Sequence, residues 1–220
     1  MPELIITDDK SHTLFVKELN EHYHSVHGAV GESSVVYIGY GYKYCNADPV
    51  SIFEVGFGTG LNVLLTLTES LKDNKVVYYT AIERYPLGNE ITCRLNYGLF
   101  TGRQGDRYFK MIHNAPWNRP ASLTDNFTLT KIEGDFLTYI PSGQYDIIYY
   151  DAFGPGKQPE MWSRELIIKS ASMLHPDGIL VTYSSQGELK RKLKDAGFSL
   201  TLLPGPPHKR EVIRAVKRKI

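Results

Sequence analysis

Four carboxylates and three glycines are spaced so that they could surround one ligand. The string Glu54-Val-Gly56-Phe-Gly58-Thr-Gly60-Leu61 places glycines where the chain can take positive φ and approach a ligand closely. A dinucleotide fingerprint, G-x-G-x-x-G, would need a glycine where Leu61 stands. No Gly-Lys-Ser/Thr follows, which excludes a phosphate-cradling P-loop. A nucleoside ligand without a pyrophosphate fits the pattern that remains. Glu83 follows at the end of the next apolar run, where a carboxylate can take both hydroxyls of a ribose. The alternative is a tight strand-to-helix turn with Glu83 capping or solvated. Glu133-Gly-Asp135-Phe136 follows a third run, and Tyr149-Tyr-Asp151-Ala-Phe153-Gly-Pro155 ends a fourth. A carboxylate such as Asp151 can hydrogen-bond an amine and orient its lone pair, while Phe153 can stack a base. Asp135 can instead be a turn residue, and Asp151 an N-cap ahead of residues 158–165.

These residues need strands that end together. Val50–Val55, Lys75–Ile82, Phe127–Ile132, Tyr145–Tyr150 and Gly178–Tyr183 read as continuous apolar strands. Helices are expected over Leu61–Lys72, Arg164–Leu174 (closed by Pro176-Asp-Gly178) and Gly187–Ala196. Such alternation predicts an α/β fold, a parallel sheet covered on both faces. Ligands in open α/β sheets sit outside the carboxyl ends of the strands. Phe198–Leu203 and Glu211–Val216 have no room for a helix between them and should pair antiparallel at the sheet's end. Ser34–Ile38 and Tyr40–Tyr44 suggest a small hairpin, so residues 1–49 are expected to be an N-terminal β extension that caps a 50–220 core.

Composition sets the outer bounds. The 220 residues, 42% hydrophobic and 22% charged, suit one large domain that buries about 70% of its extended surface. Cys45 and Cys93 are too few for a disulfide framework or zinc cluster, which points to a reducing cytoplasm. The N-terminus lacks a signal-peptide pattern, and no apolar run approaches the roughly 20 residues of a membrane span. Residues 187–220 hold ten Lys or Arg against three Asp or Glu, and the rest of the chain fifteen against twenty-one. The basic section is a polyanion-binding candidate or a solvated face. His22, His24 and His27 lack the partners of a zinc site, so no metal is expected.

The glycine string and Glu83 resemble motifs I and II of class I S-adenosylmethionine-dependent methyltransferases. That resemblance implies a Rossmann-like sheet with its antiparallel last strand inserted beside the fifth. It also places Asp135 on the adenine amino group and Phe136 along the ring. Asp151-Ala-Phe-Gly resembles the Asp/Asn-Pro-Pro-Tyr/Phe motif of amine methyltransferases, departing in its two central residues. Three segments are similar to the methyltransferase domain of the tRNA 5-methylaminomethyl-2-thiouridine biosynthesis protein family, MnmC. They are Glu54-Val-Gly-Phe-Gly-Thr-Gly-Leu-Asn62, Asp151-Ala-Phe-Gly-Pro-Gly-Lys-Gln-Pro-Glu-Met-Trp162 and Lys209-Arg-Glu211. Ile82–Leu87 and Asp195–Phe198 also fit. Gly154, Gln158 and Pro206-Pro-His208 depart from the family pattern.

The resemblance implies methylation of an aminomethyl group on the wobble uridine of tRNA. S-adenosylmethionine would be held by Glu54, Gly56, Phe57, Gly58, Gly60, Leu61, Asn62, Glu83, Asp135, Phe136 and Asp151, with Asp151 also catalytic. On the substrate side stand Tyr23, His24, Phe153, Pro155, Lys157, Trp162, Lys209 and Arg210. Tyr23 and His24 can equally belong to a packed loop, and Trp162 to the core. The chain ends before any FAD-dependent oxidase domain, so FAD is not implied, and an oxidase or other tRNA-modifying partner is left to separate chains. A small-molecule amine methyltransferase and a noncatalytic cofactor-binding module are the competing readings.

Overall fold

The computed structural model describes residues 2–219. In chain order the elements are β1 (Glu3–Ile6), β2 (His12–Val16), β3 (Glu21–His22), α1 (Ala29–Ser33), β4 (Val50–Val55), α2 (Leu61–Asp73), β5 (Val77–Glu83), α3 (Asn89–Thr92), α4 (Gly105–Asn114), β6 (Pro120–Thr124), β7 (Phe127–Glu133), β8 (Tyr145–Tyr150), α5 (Arg164–Ser172), β9 (Leu174–Thr182), α6 (Gly187–Asp195), β10 (Phe198–Pro204) and β11 (Glu211–Lys217). Eight strands form one sheet in the order β10-β11-β9-β8-β4-β5-β7-β6. The five central strands run parallel, and β11 enters antiparallel beside β9 with β10 outside it. The parallel sheet and its antiparallel end therefore match the α/β expectation.

Strand side chains alternate between two cores. Ile147 and Tyr149 face one, with α2, α4 and the segment before β4. Ile148 and Tyr150 face the other, with α5 and α6. Burial on both faces is why β4, β8 and the second half of β9 read as continuous apolar runs rather than alternating ones. The two central neighbours β4 and β8 end side by side, and Asp151 N–H continues their ladder onto Val55 O at 3.0 Å.

Three expectations change. The hairpin expected over 34–44 is helical: Ser34–Gly39 makes a wide turn in which Tyr40 N–H reaches Val35 O, five residues back. Val36, Tyr37 and Ile38 are all buried, and a short apolar run carries no period to separate strand from helix. The N-terminal sheet is instead the three-stranded β1-β2-β3, which lies upstream of the expected hairpin, between residues 3 and 22. Second, Pro176-Asp-Gly178 does not close a helix; it is an excursion inside β9, whose register against β8 shifts there. Third, β6 adds an antiparallel edge that its Pro120 and its largely small, polar residues conceal in sequence. Among the described residues, no helix is long and apolar enough to cross a membrane.

Candidate active site

The loop after β4 lies flat against the end of β5. Gly56 and Phe57 N–H both donate to Ile82 O, each at 3.1 Å. Gly56 has φ +93°, and a Cβ there would stand 2.8 Å from the carbonyl oxygen of Asp151. At Gly58, φ is +49° and a Cβ would press on the Tyr23 ring at 3.2 Å. Only glycine leaves this backbone open. Glu83 Oε2 accepts Gly58 N–H and Oε1 accepts Tyr85 N–H, both at 2.9 Å. Each carboxylate oxygen has two lone pairs, so Glu83 ties the loop down and keeps acceptor capacity for a ligand.

Asp151 sits at the mouth of β8 in a network that no linear pattern displays. Tyr37 Oη donates to its Oδ1 at 2.6 Å, and Asn62 Nδ2 donates to its Oδ2 at 2.8 Å. Asn62 also donates to Glu54 Oε1 at 2.9 Å. Burial dominates the Asp151 carboxyl and lifts its pKa to about 7, against the lowering effect of the Tyr37 and Asn62 hydrogen bonds. Burial likewise raises the carboxyl of Glu54, 1% exposed, well above its ordinary value. The N-cap alternative for Asp151 fails: Ser163 caps α5 through Leu166 N–H, and the Asp151 side chain is spent on Tyr37 and Asn62.

These elements enclose a cavity of about 460 Å³, within the range that holds a nucleoside-sized ligand. Gly56, Phe57, Gly58, Leu61, Asn62, Glu83, Asp135, Phe136 and Asp151 line it, as do Tyr23, His24, Phe153 and Lys209. The Phe57 ring itself packs on His113 and Trp117. Asp135 is held by Arg84 at 3.0 Å and by Leu137 N–H at 2.9 Å. Tyr23 packs edge-on against Phe153, with ring centroids 5.1 Å apart. His24 bonds Thr59 Oγ1 at 2.8 Å, and burial lowers its pKa to about 4, so it is neutral.

Other expected residues fall outside the lining. Glu54 is buried behind Asn62, and Gly60 turns the chain into α2 with φ +75°. Trp162 is core: its indole N–H donates to Phe153 O at 2.7 Å and so anchors the backbone that carries that ring. Pro155 and Lys157 lie beyond the wall, and Arg210 is exposed. Lys209 is committed to Glu32 at 2.9 Å and stands over the Tyr183 ring. Sequence reasoning missed Tyr37, Tyr183, Thr59 and the acidic wall of Glu21, Glu32 and Glu160. Tyr37 reaches the site only because its wide helical turn packs against α2 and β9. At the rim, His27 stacks on His208 at 3.9 Å beside Asp8.

Residues 107–218, just over half of the chain, match a family model described as S-adenosyl-L-methionine-dependent methyltransferase. A protein of Pseudomonas syringae pv. syringae, "tRNA 5-methylaminomethyl-2-thiouridine biosynthesis bifunctional protein MnmC", is 34% identical over 173 residues, which are 74% of this chain and 26% of that protein. Its counterpart in Campylobacter hominis is 28% identical over 92% of this chain and 31% of its own length. The chain thus spans about a quarter to a third of the curated relatives it matches. Among solved structures, MNMC2 from Aquifex aeolicus superposes with a TM-score of 0.82 at 21% identity, over 100% of this chain and 71% of that one. Spermidine synthase from Thermotoga maritima reaches 0.62 at 10% identity, over 100% and 69%. Both likenesses concern the fold.

Proposed function

The chain belongs to the S-adenosyl-L-methionine-dependent methyltransferases, and from that membership we propose that it methylates the amine of an aminomethyl group on the wobble uridine of tRNA. The names of its relatives point to that substrate. The observation that carries the chemistry is Asp151, a carboxylate titrating near neutrality at the end of a central strand and facing the cavity.

The cradle fits the cofactor. Gly56 and Gly58 leave room that a Cβ would fill, Glu83 retains lone pairs for a ribose, and Asp135 with Phe136 borders the space an adenine needs. When bound, S-adenosylmethionine supplies a sulfonium-activated methyl group. The chain's own residues do the rest. Glu21 and Glu160 draw a cationic ammonium inward. Asp151 takes the proton on a carboxylate oxygen, which leaves the nitrogen lone pair free; such proton transfer contributes roughly 10²–10⁴-fold. Tyr37 and Asn62, one on each oxygen, hold the carboxylate plane and act as positioning residues. Tyr23, Phe153 and Tyr183 wall the pocket with rings that can stack a base and face a cation. Alignment of this kind supplies around 7–11 kcal/mol.

On this reading residues 1–49 cap the substrate side of the 50–220 core, and the reaction belongs in the cytoplasm with its tRNA. Methyl transfer from labelled cofactor into bulk tRNA lacking the modification, followed by nucleoside analysis, tests it. Label in a methylaminomethyl-uridine supports the proposal. Label only in small amines, or none in RNA, overturns it.

A further inference from the structure

The basic C-terminal section is largely used up inside the fold. Lys190 pairs with Glu211, Lys192 with Glu188, Lys209 with Glu32 and Lys219 with Asp177. Lys217 is spent on Leu174 O. A different surface carries cations without counter-charges. Lys10, Arg94, Arg103, Arg107 and Lys110 are all exposed, and none joins an ion pair among the described residues.

Structure brings these five together from two separated stretches. Asn96 Nδ2 donates to Lys10 O and Asn96 Oδ1 accepts His12 N–H, which fastens the β1–β2 turn to the segment carrying Arg94. That segment packs on α4, with Tyr97 and Phe109 rings 5.7 Å apart. Helix α4 buries Gly105, Phe109 and Ile112. Arg107 and Lys110 follow the i, i+3 spacing of one surface stripe of α4, Arg103 stands in the turn just before that helix, and all three are exposed. Between α3 and α4 opens a mixed cleft, with Asn89, Thr92, Asp106, Lys110 and Asn114 around Leu95 and Phe109. Between Arg94 and Arg103 the chain exposes Leu99 by 73% and Phe100 by 38%.

We infer that this face is the docking surface for the phosphate backbone of the RNA substrate. Unpaired arginines and lysines on a surface that also exposes an aromatic ring and polar amides are what a nucleic acid strand engages. Asp106 is the one carboxylate of the cleft and would sit between phosphate contacts. The face connects to the catalytic cavity by two ring contacts. Phe109 packs on Tyr97, and Tyr97 packs on the cavity residue His24 at 6.2 Å. Both linking rings are buried, so this face backs onto the cavity wall formed by His24 across one layer of side chains. The inference rests on the tRNA reading above.

Fluorescence anisotropy of labelled bulk tRNA, titrated with the full chain at several salt concentrations, tests it. The variant Arg103→Gln/Arg107→Gln/Lys110→Gln changes exposed side chains only. Each lost phosphate contact should flatten the slope of log affinity against log salt by about 0.7–0.9, so the triple variant should lose about two to three units and bind at least about tenfold more weakly near physiological salt. Cofactor affinity by calorimetry should stay at the parent value. Arg191→Gln/Lys194→Gln, exposed cations elsewhere, should leave both slope and affinity unchanged. A triple variant that binds tRNA as the parent does, or a control that weakens binding equally, refutes this surface and leaves the tRNA reading standing. If the parent itself neither binds nor methylates tRNA, both fall.

Discussion

Deleting the Tyr37 hydroxyl isolates what sets the protonation of Asp151. Tyr37→Phe keeps the ring, which lies 5.2 Å from Tyr149, and removes only the donor 2.6 Å from Asp151 Oδ1. Tyr37 is 1% exposed, so water has little room to take the hydroxyl's place. The hydrogen bond favours the ionised carboxylate, and its loss should push Asp151 upward from about 7. A hydrogen bond to a charged group is worth about 1.5–3 kcal/mol, and 1.36 kcal/mol is one pH unit. The acid limb of kcat/KM should therefore move from about 7 to roughly 8–9. The fraction ionised at neutrality then drops by roughly 5- to 50-fold, and the rate with it, while activity recovers in alkaline buffer. Initial rates of labelled methyl transfer from about pH 6 to about pH 9.5, with cofactor affinity measured in parallel, check this. A limb that stays where the parent's lies, or a loss equal at every pH, would refute the argument. Tyr37 would then be packing alone.

Asp151→Asn should retain the fold and most cofactor affinity but lose most single-turnover methylation, since an amide cannot accept the proton. Near-parental turnover would defeat the general-base role. Glu83→Ala removes the acceptor of Gly58 and Tyr85 N–H and should weaken the cofactor by roughly 10–100-fold in calorimetry; unchanged affinity would remove Glu83 from the site. Lys131 is buried under Phe57 and Trp117, and desolvation lowers its pKa from 10.5 to about 8. Between those values the unfolded chain binds more protons, so stability should rise with pH from about 8 towards 10.5. In Lys131→Met that contribution to the melting-temperature trend should vanish, and identical trends in both proteins would show that Lys131 is not titrating.

Much of the molecule was legible in the chain because its signals are local. The central strands β4, β8 and the second half of β9 announce themselves as apolar runs because both faces of the sheet are buried there. Gly56 and Gly58 mark a backbone that no Cβ permits, and Glu83, Asp135 and Asp151 stand where strands end. A resemblance then attached a cofactor to that pattern. What stayed hidden depends on contacts between distant segments. Nothing in Ser34–Gly39 distinguishes a buried helical turn from a strand; packing against α2 and β9 decides it, and that decision delivers Tyr37 to Asp151 across 114 positions. Trp162 belongs to a motif yet anchors the Phe153 backbone from the core, since three-dimensional neighbours determine which ring meets the cavity. Charge shows the difference most clearly. Composition locates basic residues along the chain, but whether each cation meets a carboxylate or open solvent is settled only when the chain folds. That is why Lys190 and Lys209 end in ion pairs while Arg103, Arg107 and Lys110 remain free for a partner.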